Sequence, residues 1–510
     1  MDTRKVPKKV LPPPSMLDAL IPLIFLVVAI VVAIVIYGDG AIGGPVQVAM
    51  FASAAVAGLV GWKNGHTEPE MAKAAVDSVA SAMGAIFILF AVGALIGTWN
   101  MSGTIATLAD YGIRFLNPSL FYVTAAIICA VIALGVGSSW TVMGTIGVAL
   151  IAISGPLGLS AAITAGAVIS GAYFGDKMSP LSETTNLAPA VTGTDLYTHI
   201  RAMMATTIPS IVIALVIYLF IGLGTDVSTA LPESLAVGGI EEYFRTGLVP
   251  LLPLVVVIVL AVRKVPPVLA ILAGALVGGL VAVIWQPSVV TAFAGGSGPL
   301  AMLEGVWTAM ANGFVADTGS EQVDELLSGG GMESMLVTIW LIMAALAFGG
   351  IMNHCGFLAK LIEPMRRRAN NDRKAMIATG TTAIGINVVA ADQYLAIVLT
   401  GNVYKEDFRK RGIAPQSLSR QVEDTATVTS VLIPWNSCGA YAAGVLGVTT
   451  FAYLPFAFFN WINPLVSFLY DALGWQIHKV PADQTYPETP EEVEFYSVEE
   501  PYGKMKPDEG

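Results

Sequence analysis

Apolar runs separated by short polar connections make up most of this chain. Several runs are long enough to cross the hydrocarbon of a bilayer as helices, which takes about 20 residues. They are 17–37, 46–62, 78–99, 202–223, 247–262, 265–285 and 335–352. Longer apolar segments interrupted by glycine, proline and polar residues lie at 119–155, 160–192, 375–402 and 424–475. The pattern predicts an all-α polytopic membrane protein with about 11–13 membrane segments.

Composition agrees with a membrane bundle. Hydrophobic residues make up 55 % of the chain and charged residues 12 %, whereas a soluble domain has about 25 % charged residues. The net charge of −11 belongs mostly to the loops and the C-terminal tail, so we expect membrane lipid and no nucleic acid as a partner. The cysteines Cys129, Cys355 and Cys438 lie in or beside apolar stretches without metal-ligand spacing.

Basic residues mark one side of the membrane. Lysine and arginine recur at 4–9, 63–73, 263–264 and 360–368, whereas the interval 286–334 is acidic and contains neither. By the positive-inside rule the N-terminus and the C-terminal tail are cytoplasmic and the acidic loops face out. We expect a multi-pass protein of the cell inner (plasma) membrane.

The segment 375–402 has basic residues at both ends. Arg373 and Lys374 precede it, and Lys405 and Arg409 follow it. Both ends are therefore expected in the cytoplasm, which predicts a re-entrant hairpin rather than a span. Non-helical backbone at its tip must be buried in protein or line a wet cavity.

An internal repeat predicts the architecture. GTWNMSGTIATL (97–108) matches GIMNHCGFLAKL (350–361) at an offset of 253 residues, and the charge rule gives the helices before them opposite directions. Further along, we pair 133–141 with 383–391 and 175–182 with 423–430. Two inverted-topology repeats, each with a re-entrant hairpin and a broken helix, are typical of secondary transporters that bind at the repeat interface.

The repeat divides the chain into six parts. The cytoplasmic N-terminal segment and the N-terminal helices precede the first inverted repeat, and connecting helices with acidic external loops precede the second. A disordered acidic cytoplasmic tail closes the chain. In this order the predicted bounds are 1–15, 16–77, 78–223, 224–334, 335–477 and 478–510.

Residues 171–193, GAYFGDKMSPLSETTNLAPAVTG, predict an ion site. A charged group near the bilayer centre costs roughly 2.5–3.5 kcal/mol or more, so it is rarely kept there without a function. Sodium takes hard oxygen ligands, which the broken segments supply. The predicted hairpin tips contain Ser138, Ser139, Thr141 and Asn387. The candidate ion and proton ligands are Asp176, Ser182, Glu183, Thr184, Thr185, Asn186, Asp392, Asp424, Asn436 and Ser437. Sodium itself is assigned to Asp176, Glu183, Asn186 and Asn436.

A buried carboxylate can hold a proton near neutral pH, and a bound cation displaces that proton. One carboxylate can therefore carry either ion, and competition for it is exchange. Asp176 and Glu183 are the leading candidates. Lys177 is an alternative partner that would neutralise Asp176, so Glu183 is the preferred proton carrier. For Glu423 and Asp424 a solvated position at a cytoplasmic helix end is almost as well supported as a ligand role.

GAYFGDKMSPLSETTNLAPAV closely resembles the signature of the NhaC family of sodium/proton antiporters, in the ion-transporter superfamily. The likeness extends from about residue 15 to about residue 475, with SVLIPWNSCGAY (430–441) as its second strong part. It implies sodium/proton exchange by alternating access, transported Na⁺ and H⁺, and no cofactor.

Other functions remain open at this point. Relatives in the same family also resemble sodium- and proton-coupled malate/lactate antiporters, in which Lys177 would face the organic acid. A channel would favour a symmetric pore from several subunits. An enzyme is not expected, because the apolar segments contain no HExxH, GxSxG or nucleotide-binding motif. A homodimer that supports a moving unit is our hypothesis for the assembly.

Overall fold

The computed structural model describes residues 11–115, 117–225, 243–319, 324 and 327–480. Most of the predicted cytoplasmic N-terminal segment and nearly all of the predicted acidic tail lie outside these residues. The described residues are helical throughout their membrane-length segments, and their only β pairings are single bridges, Phe314 with Gly329 and Ile413 with Lys479. The all-α prediction is confirmed.

The helices follow the predicted apolar runs closely. Those of the first half are α1 (Met16–Tyr37), α2 (Pro45–Lys63), α3 (Glu68–Ser81), α4 (Met83–Met101), α5 (Thr104–Phe115), α6 (Phe121–Val136), α7 (Ser139–Ser154), α8 (Ala161–Met178), α9 (Glu183–Thr192) and α10 (Leu196–Gly224). Between the halves lie α11 (Leu252–Val262), α12 (Pro267–Trp285), α13 (Pro287–Ala294) and α14 (Pro299–Asn312). Those of the second half are α15 (Leu336–His354), α16 (Phe357–Arg368), α17 (Asp372–Ala390), α18 (Gln393–Lys410), α19 (Pro415–Val422), α20 (Ser437–Leu446), α21 (Thr450–Tyr453) and α22 (Phe458–Leu473).

Seven helices in the described residues are long and apolar enough to span a membrane, or up to nine if each of two bent pairs is one span. Adding the shorter apolar helices 139–154 and 249–262 brings the number to eleven, the lower end of the predicted range. One bent pair, α13 and α14 with an angle of 81° between them, lies in the interval treated as an external loop. Each of these two helices begins with a proline, whose fixed φ suits the first helical position.

The first hairpin reverses at Gly137. This glycine has φ +74°, a conformation that other residues adopt only under strain, and Ser138 then caps α7 by accepting from Thr141 N. The Ser160 amide donates to the Tyr122 hydroxyl at 3.0 Å, so the starts of α6 and α8 are adjacent. At the other end Gly137 lies against Leu181. Helices α6 and α8 therefore run side by side in one direction, and α7 returns.

The second hairpin has the same construction. Ala391 takes φ +58°, and the Asp392 carboxylate caps α18 by accepting from Leu395 N at 2.8 Å. The hydroxyls of Thr382 and Tyr404 lie 2.9 Å apart, so α17 and α18 lie side by side in opposite directions. Both ends of 375–402 are thus on one side, as the basic flanks indicated.

The structure corrects the predicted pairing of the two halves. Gly137 and Ala391 are the left-handed residues of the two tips, and they are 254 residues apart. The caps that follow the two helix breaks, Ser182 and Asn436, are also 254 apart. The pairing of 133–141 with 383–391 and of 175–182 with 423–430 was therefore out of register. Glycine and alanine matches misled it, because a cap needs only a short polar side chain and not one residue type.

The earlier pairing of 97–108 with 350–361 agrees with the geometry. Gly103 and Gly356 have φ +74° and +72° and follow the ends of α4 and α15. Downstream, the broken helices of the two halves cross in opposite directions: the Tyr173 and Ser430 hydroxyls lie 3.5 Å apart, and Lys177 Nζ is 2.8 Å from Asp424 Oδ1.

Close packing of α6 on α8 depends on the absence of a side chain at Gly171. A Cβ added there would lie 2.0 Å from the Ala126 carbonyl oxygen, so Gly171→Ala must push the two backbones apart. We expect a loss of about 1–3 kcal/mol in the free energy of unfolding, measured by thermal melting in detergent. Gly135→Ala is the matched control, because nothing lies within 4 Å of its added Cβ. Equal melting temperatures for the two variants would contradict the close α6–α8 contact.

Candidate functional site

The first hairpin tip is bound to the first helix break through Asp176. This carboxylate lies in the last turn of α8, two residues before the helix ends. Its Oδ2 accepts from the Ser139 amide at 3.1 Å and from the Ser139 hydroxyl at 2.7 Å. Only 8 % of the Asp176 surface is exposed. A predicted ion ligand and a predicted tip residue are therefore in direct contact.

The second half repeats this contact with other residues. Ser430, 254 positions after Asp176, donates to Oε1 of Gln393, 254 positions after Ser139, at 3.3 Å. Beside them Asp392 is 8 % exposed, and the side chain of Ser437 lies next to its carboxylate. Each hairpin tip thus meets the broken helix of its own half.

One aromatic residue at each hairpin tip contacts the other half of the chain. The Tyr394 hydroxyl donates to Glu183 Oε2 at 2.8 Å, which connects the second tip to α9. Trp140 stacks on Tyr441 at 4.0 Å between ring centroids, which connects the first tip to α20. The two tips and the two breaks therefore form one region, called the junction below. Glu183 lies at its exposed edge.

Several predicted ligands hold the breaks in shape. The Asn186 amide donates to the carbonyls of Pro180 and Ser182 at 2.9 and 2.6 Å, and Thr185 Oγ1 donates to the backbone carbonyl oxygens of Asp176 and Lys177. The Thr184 and Ser182 hydroxyls lie 3.1 Å apart. These side chains satisfy backbone groups that the helix break leaves free.

The same holds in the second half. Asn436 Oδ1 accepts from Cys438 N as the cap of α20, and its amide donates to Asn387. Asn387 was predicted at the hairpin tip, but it lies inside α17, four residues before Ala391. Its own amide donates to Thr429 Oγ1 at 3.1 Å. Asn387 therefore fastens the hairpin to the following helix, while the tip itself consists of Ala391 and Asp392.

A fully buried ion network lies beside the junction. Lys177 Nζ is 2.8 Å from Asp424 Oδ1, and Arg420 lies 3.1 Å from both Asp424 and Asp471. Asp424 also accepts hydrogen bonds from side chains of three further residues, Thr206, Asn463 and Ser467. Lys177 thus neutralises Asp424 and not Asp176, and the alternative of a solvated position for Asp424 is excluded because its side chain is fully buried.

Glu423 is the residue that sequence reasoning undervalued. It is 0 % exposed and lies in a π-helical turn, Glu423–Thr427, that continues α19. Neither carboxylate oxygen forms a hydrogen bond of ordinary geometry within the described residues, and the side chains of Thr184 and Thr427 and the charge of Lys177 lie near it. The alternative of a solvated helix end is therefore excluded for Glu423 as well. Arg420, one turn before Glu423, is also buried, in the ion network.

The two buried lysine and arginine side chains of the described residues, Lys177 and Arg420, are therefore both paired with Asp424 or Asp471. Four other carboxylates at or near the junction have no ion pair among the described residues: Asp176, Glu183, Asp392 and Glu423. Asp176 lies close enough to Glu183 and to Glu423 for their charges to interact, and neighbouring carboxylates favour uptake of a proton or a cation. The region thus offers oxygen ligands of the kind that hard cations take.

Three junction carboxylates can be compared with the residues at the equivalent positions of the other half. Asp176, Glu183 and Asp392 are each replaced by serine at the position 254 residues away. The corresponding pairs are Asp176 with Ser430, Glu183 with Ser437, and Ser138 with Asp392. The junction thus contains three carboxylates and three hydroxyls in pairs of equivalent positions, one from each half. All six groups are hard oxygen ligands.

The sequence is similar to known transporters. The model of the Na⁺/H⁺ antiporter family matches residues 171–475. The chain is 38 % identical to the Na⁺/H⁺ antiporter NhaC of Alkalihalophilus pseudofirmus, over 82 % of this chain and 87 % of the relative. It is 36 % identical to NhaC of Bacillus subtilis, over 78 % and 85 %. The malate-2H⁺/Na⁺-lactate antiporter of Bacillus subtilis is 33 % identical, over 90 % and 96 %.

The ion network predicts a large cost for Asp424→Asn. The substitution leaves Lys177 without its counter-charge in a fully buried position, and breaking such a pair costs about 3–5 kcal/mol. The double variant Lys177→Met with Asp424→Asn should recover part of this loss, because Arg420 keeps Asp471. Unfolding in detergent measures the free energy of unfolding.

Asp77→Asn is the control for that experiment. It breaks the exposed pair with Lys73, for which about 0–1 kcal/mol is expected. If Asp424→Asn were as stable as Asp77→Asn, the network would not hold the two halves together.

Proposed function

This chain belongs to the Na⁺/H⁺ antiporter family, and we propose that it exchanges the two ions at the junction of hairpin tips and helix breaks. It is a sodium/proton antiporter with several membrane-spanning helices. The proposal adds the site, the roles of its residues and the movement. It requires no cofactor and no covalent catalysis, because Na⁺ and H⁺ are the transported ions.

The observation that carries the proposal is the set of carboxylates without a cationic partner. In the described residues both buried cations are held by the ion network, while Asp176 and Asp392 retain slight exposure at the junction. A cation or a proton that reaches the junction therefore relieves repulsion among the carboxylates. Because either ion gives this relief, binding of one displaces the other.

We assign sodium to Asp176, Glu183 and Asp392, with the Ser437 hydroxyl as a further ligand. This set differs from the one expected from sequence. Asn436 uses its side-chain oxygen to cap α20, and the Asn186 amide closes the first break. Hydroxyl and carboxylate oxygens at the junction supply the hard ligands that sodium takes.

We assign the transported proton to Glu423 in place of Glu183. Glu183 is exposed and accepts a hydrogen bond from Tyr394, so it lacks the burial that favours a protonated acid. Glu423 is fully buried, and the side chains of Thr184 and Thr427 lie near its carboxylate. Removal from water favours the neutral acid over the carboxylate.

The geometry supports alternating access by two inverted repeats. The broken helices of the two halves run in opposite directions, and the tips and breaks correspond at one offset. Transporters with this arrangement expose a site near the midplane to one side and then to the other by moving one repeat-derived unit. A homodimer would give the moving unit a static support.

Charge distribution supports the orientation and the location. The basic ends at 63–73 and 360–368 and the acidic interval 286–334 favour a cytoplasmic N-terminus and tail in the cell inner membrane. Arg366, Arg367 and Arg368 at the end of α16 are then positioned to meet anionic lipid.

The alternative of organic acid exchange has less support. A relative named as a malate-2H⁺/Na⁺-lactate antiporter is 33 % identical, so the substrate class occurs at this level of similarity. An organic acid needs a cation or a helix N-terminus at the site, and Lys177 was the candidate cation. Its side chain is fully buried and paired with Asp424 at 2.8 Å, which leaves no ammonium group for a substrate carboxylate.

Glu423→Gln tests the assigned proton carrier. The amide is similar in size but cannot release a proton. The rate of sodium/proton exchange in proteoliposomes should therefore fall to about a hundredth of the wild-type rate or lower, a change that corresponds to about 2.7 kcal/mol. Exchange of labelled sodium against unlabelled sodium needs no proton and should continue. Asp176→Asn, which removes a sodium ligand, should abolish both activities.

Glu304→Gln is the matched control, because Glu304 is exposed and distant from the junction in sequence. It should retain both activities. Loss of sodium self-exchange in Glu423→Gln would make Glu423 a sodium ligand, and unchanged sodium/proton exchange in that variant would return the proton to another carboxylate.

The substrate itself can be tested with a pH-sensitive dye inside proteoliposomes. Sodium alone, added across an imposed pH gradient, should change the internal pH, and malate or lactate should add nothing. A signal that requires an organic acid would replace the sodium/proton assignment with organic acid exchange. Asp176→Asn protein in the same vesicles corrects for leakage.

A further inference from the structure

Two of the four histidines of the chain lie together, away from the junction. His66 is in the connection between α2 and α3, and His354 is the last residue of α15. Their ring centroids are 5.2 Å apart, with the rings inclined at 63°. Glu70, in the first turn of α3, completes a group whose ligand atoms all lie within 4.8 Å of one another.

We propose that His66, Glu70 and His354 bind a divalent transition-metal ion, with zinc as the expected occupant. Two imidazole nitrogens and one carboxylate oxygen form a recurrent zinc ligand set that leaves the fourth position to water. Sodium is not the preferred ion for this group, because sodium takes oxygen ligands and two of the three donors are imidazole nitrogens.

The separation of the rings fits a shared metal. Two imidazoles bound to one tetrahedral zinc through bonds of about 2.05 Å have ring centroids about 5 Å apart, close to the observed 5.2 Å. The ligand atoms of such a site lie about 3.4 Å apart, and those of the present group all lie within 4.8 Å of one another, so small side-chain movements bring them to bonding positions. The half-buried histidines and the exposed glutamate leave room for these movements.

The carboxylate of Glu70 is already oriented. Its Oε2 accepts from the Thr67 amide at 3.1 Å and from the Thr67 hydroxyl at 2.8 Å, as part of the capping box of α3. Hydrogen bonds to a ligand from a neighbouring residue fix its direction and increase metal affinity.

The bound ion would join the α2–α3 connection to the end of α15. Helix α15 packs on both α2 and α3, with Gly350 against Ala74 and Gly61 against Cys355. A metal that binds the folded protein and not the unfolded chain raises its stability. The metal ion is therefore expected to stabilise the contact of the N-terminal helices α2 and α3 with α15, the first helix of the second half.

Zinc binding to purified, tag-free protein tests the proposal. Metal content after gel filtration should be one zinc per chain, and zinc should raise the melting temperature. His354→Gln and His66→Gln should each lose the bound zinc and the shift. Glu70→Gln retains the acceptor that the capping box needs and should weaken binding at least about tenfold, a difference of about 1.4 kcal/mol. Cobalt, used as a probe, should give the absorption of a tetrahedral site in the wild type but not in His66→Gln or His354→Gln.

His478→Gln is the matched control, since it removes a histidine from outside the group. It should bind zinc as the wild type does. All variants should elute as one species and retain sodium/proton exchange, which separates loss of the metal from loss of the fold and from failure of the antiporter assignment. Zinc content unchanged in His354→Gln, or no zinc bound by the wild type at micromolar concentration, would overturn the proposal.

Discussion

The rest of the structure depends on the pairing of Lys177 with Asp424. Two charges removed from water are costly unless each finds its partner and the remaining hydrogen bonds are satisfied. Asp424 meets this condition through Lys177, Arg420 and three polar side chains. The pair also joins the broken helix of one half to that of the other. It fixes their crossing and uses up the cations that would otherwise neutralise the nearby acids.

The ion exchange that we propose for the junction follows from what that network leaves unpaired. Asp176 and Asp392 each anchor the end of a helix next to a hairpin tip, and neither has a basic partner in the described residues. The same carboxylates therefore stabilise the hairpin tips and carry a negative charge that no basic side chain among the described residues compensates. A transported cation compensates this charge only while it is bound, so the site is suited to exchange rather than to permanent occupancy.

The correspondence of the halves is geometric but not chemical. The contact of Asp176 with Ser139 recurs in the second half as that of Ser430 with Gln393. Glu183 and Ser437 likewise occupy equivalent positions in the two halves. Carboxylates and hydroxyls thus alternate between equivalent positions. Three acids with three hydroxyls provide hard ligands with less mutual repulsion than six acids would have. Glu423 and Asp424 have no acidic counterpart in the first half, so the ion network belongs to the second half and reaches the first through Lys177.

By itself the sequence determined the properties that depend on local pattern: the apolar helices, the basic and acidic connections, the hairpin at 375–402 and the antiporter family. These follow from hydropathy, charge and a continuous motif. Only the tertiary structure decided that Lys177 pairs with Asp424, that Asn387 lies before the tip, that Glu423 is buried, and that the hairpin tips and helix breaks of the two halves correspond at 254 residues. Such contacts join residues far apart in the chain, and burial and pairing there depend on how helices pack, which no local pattern contains.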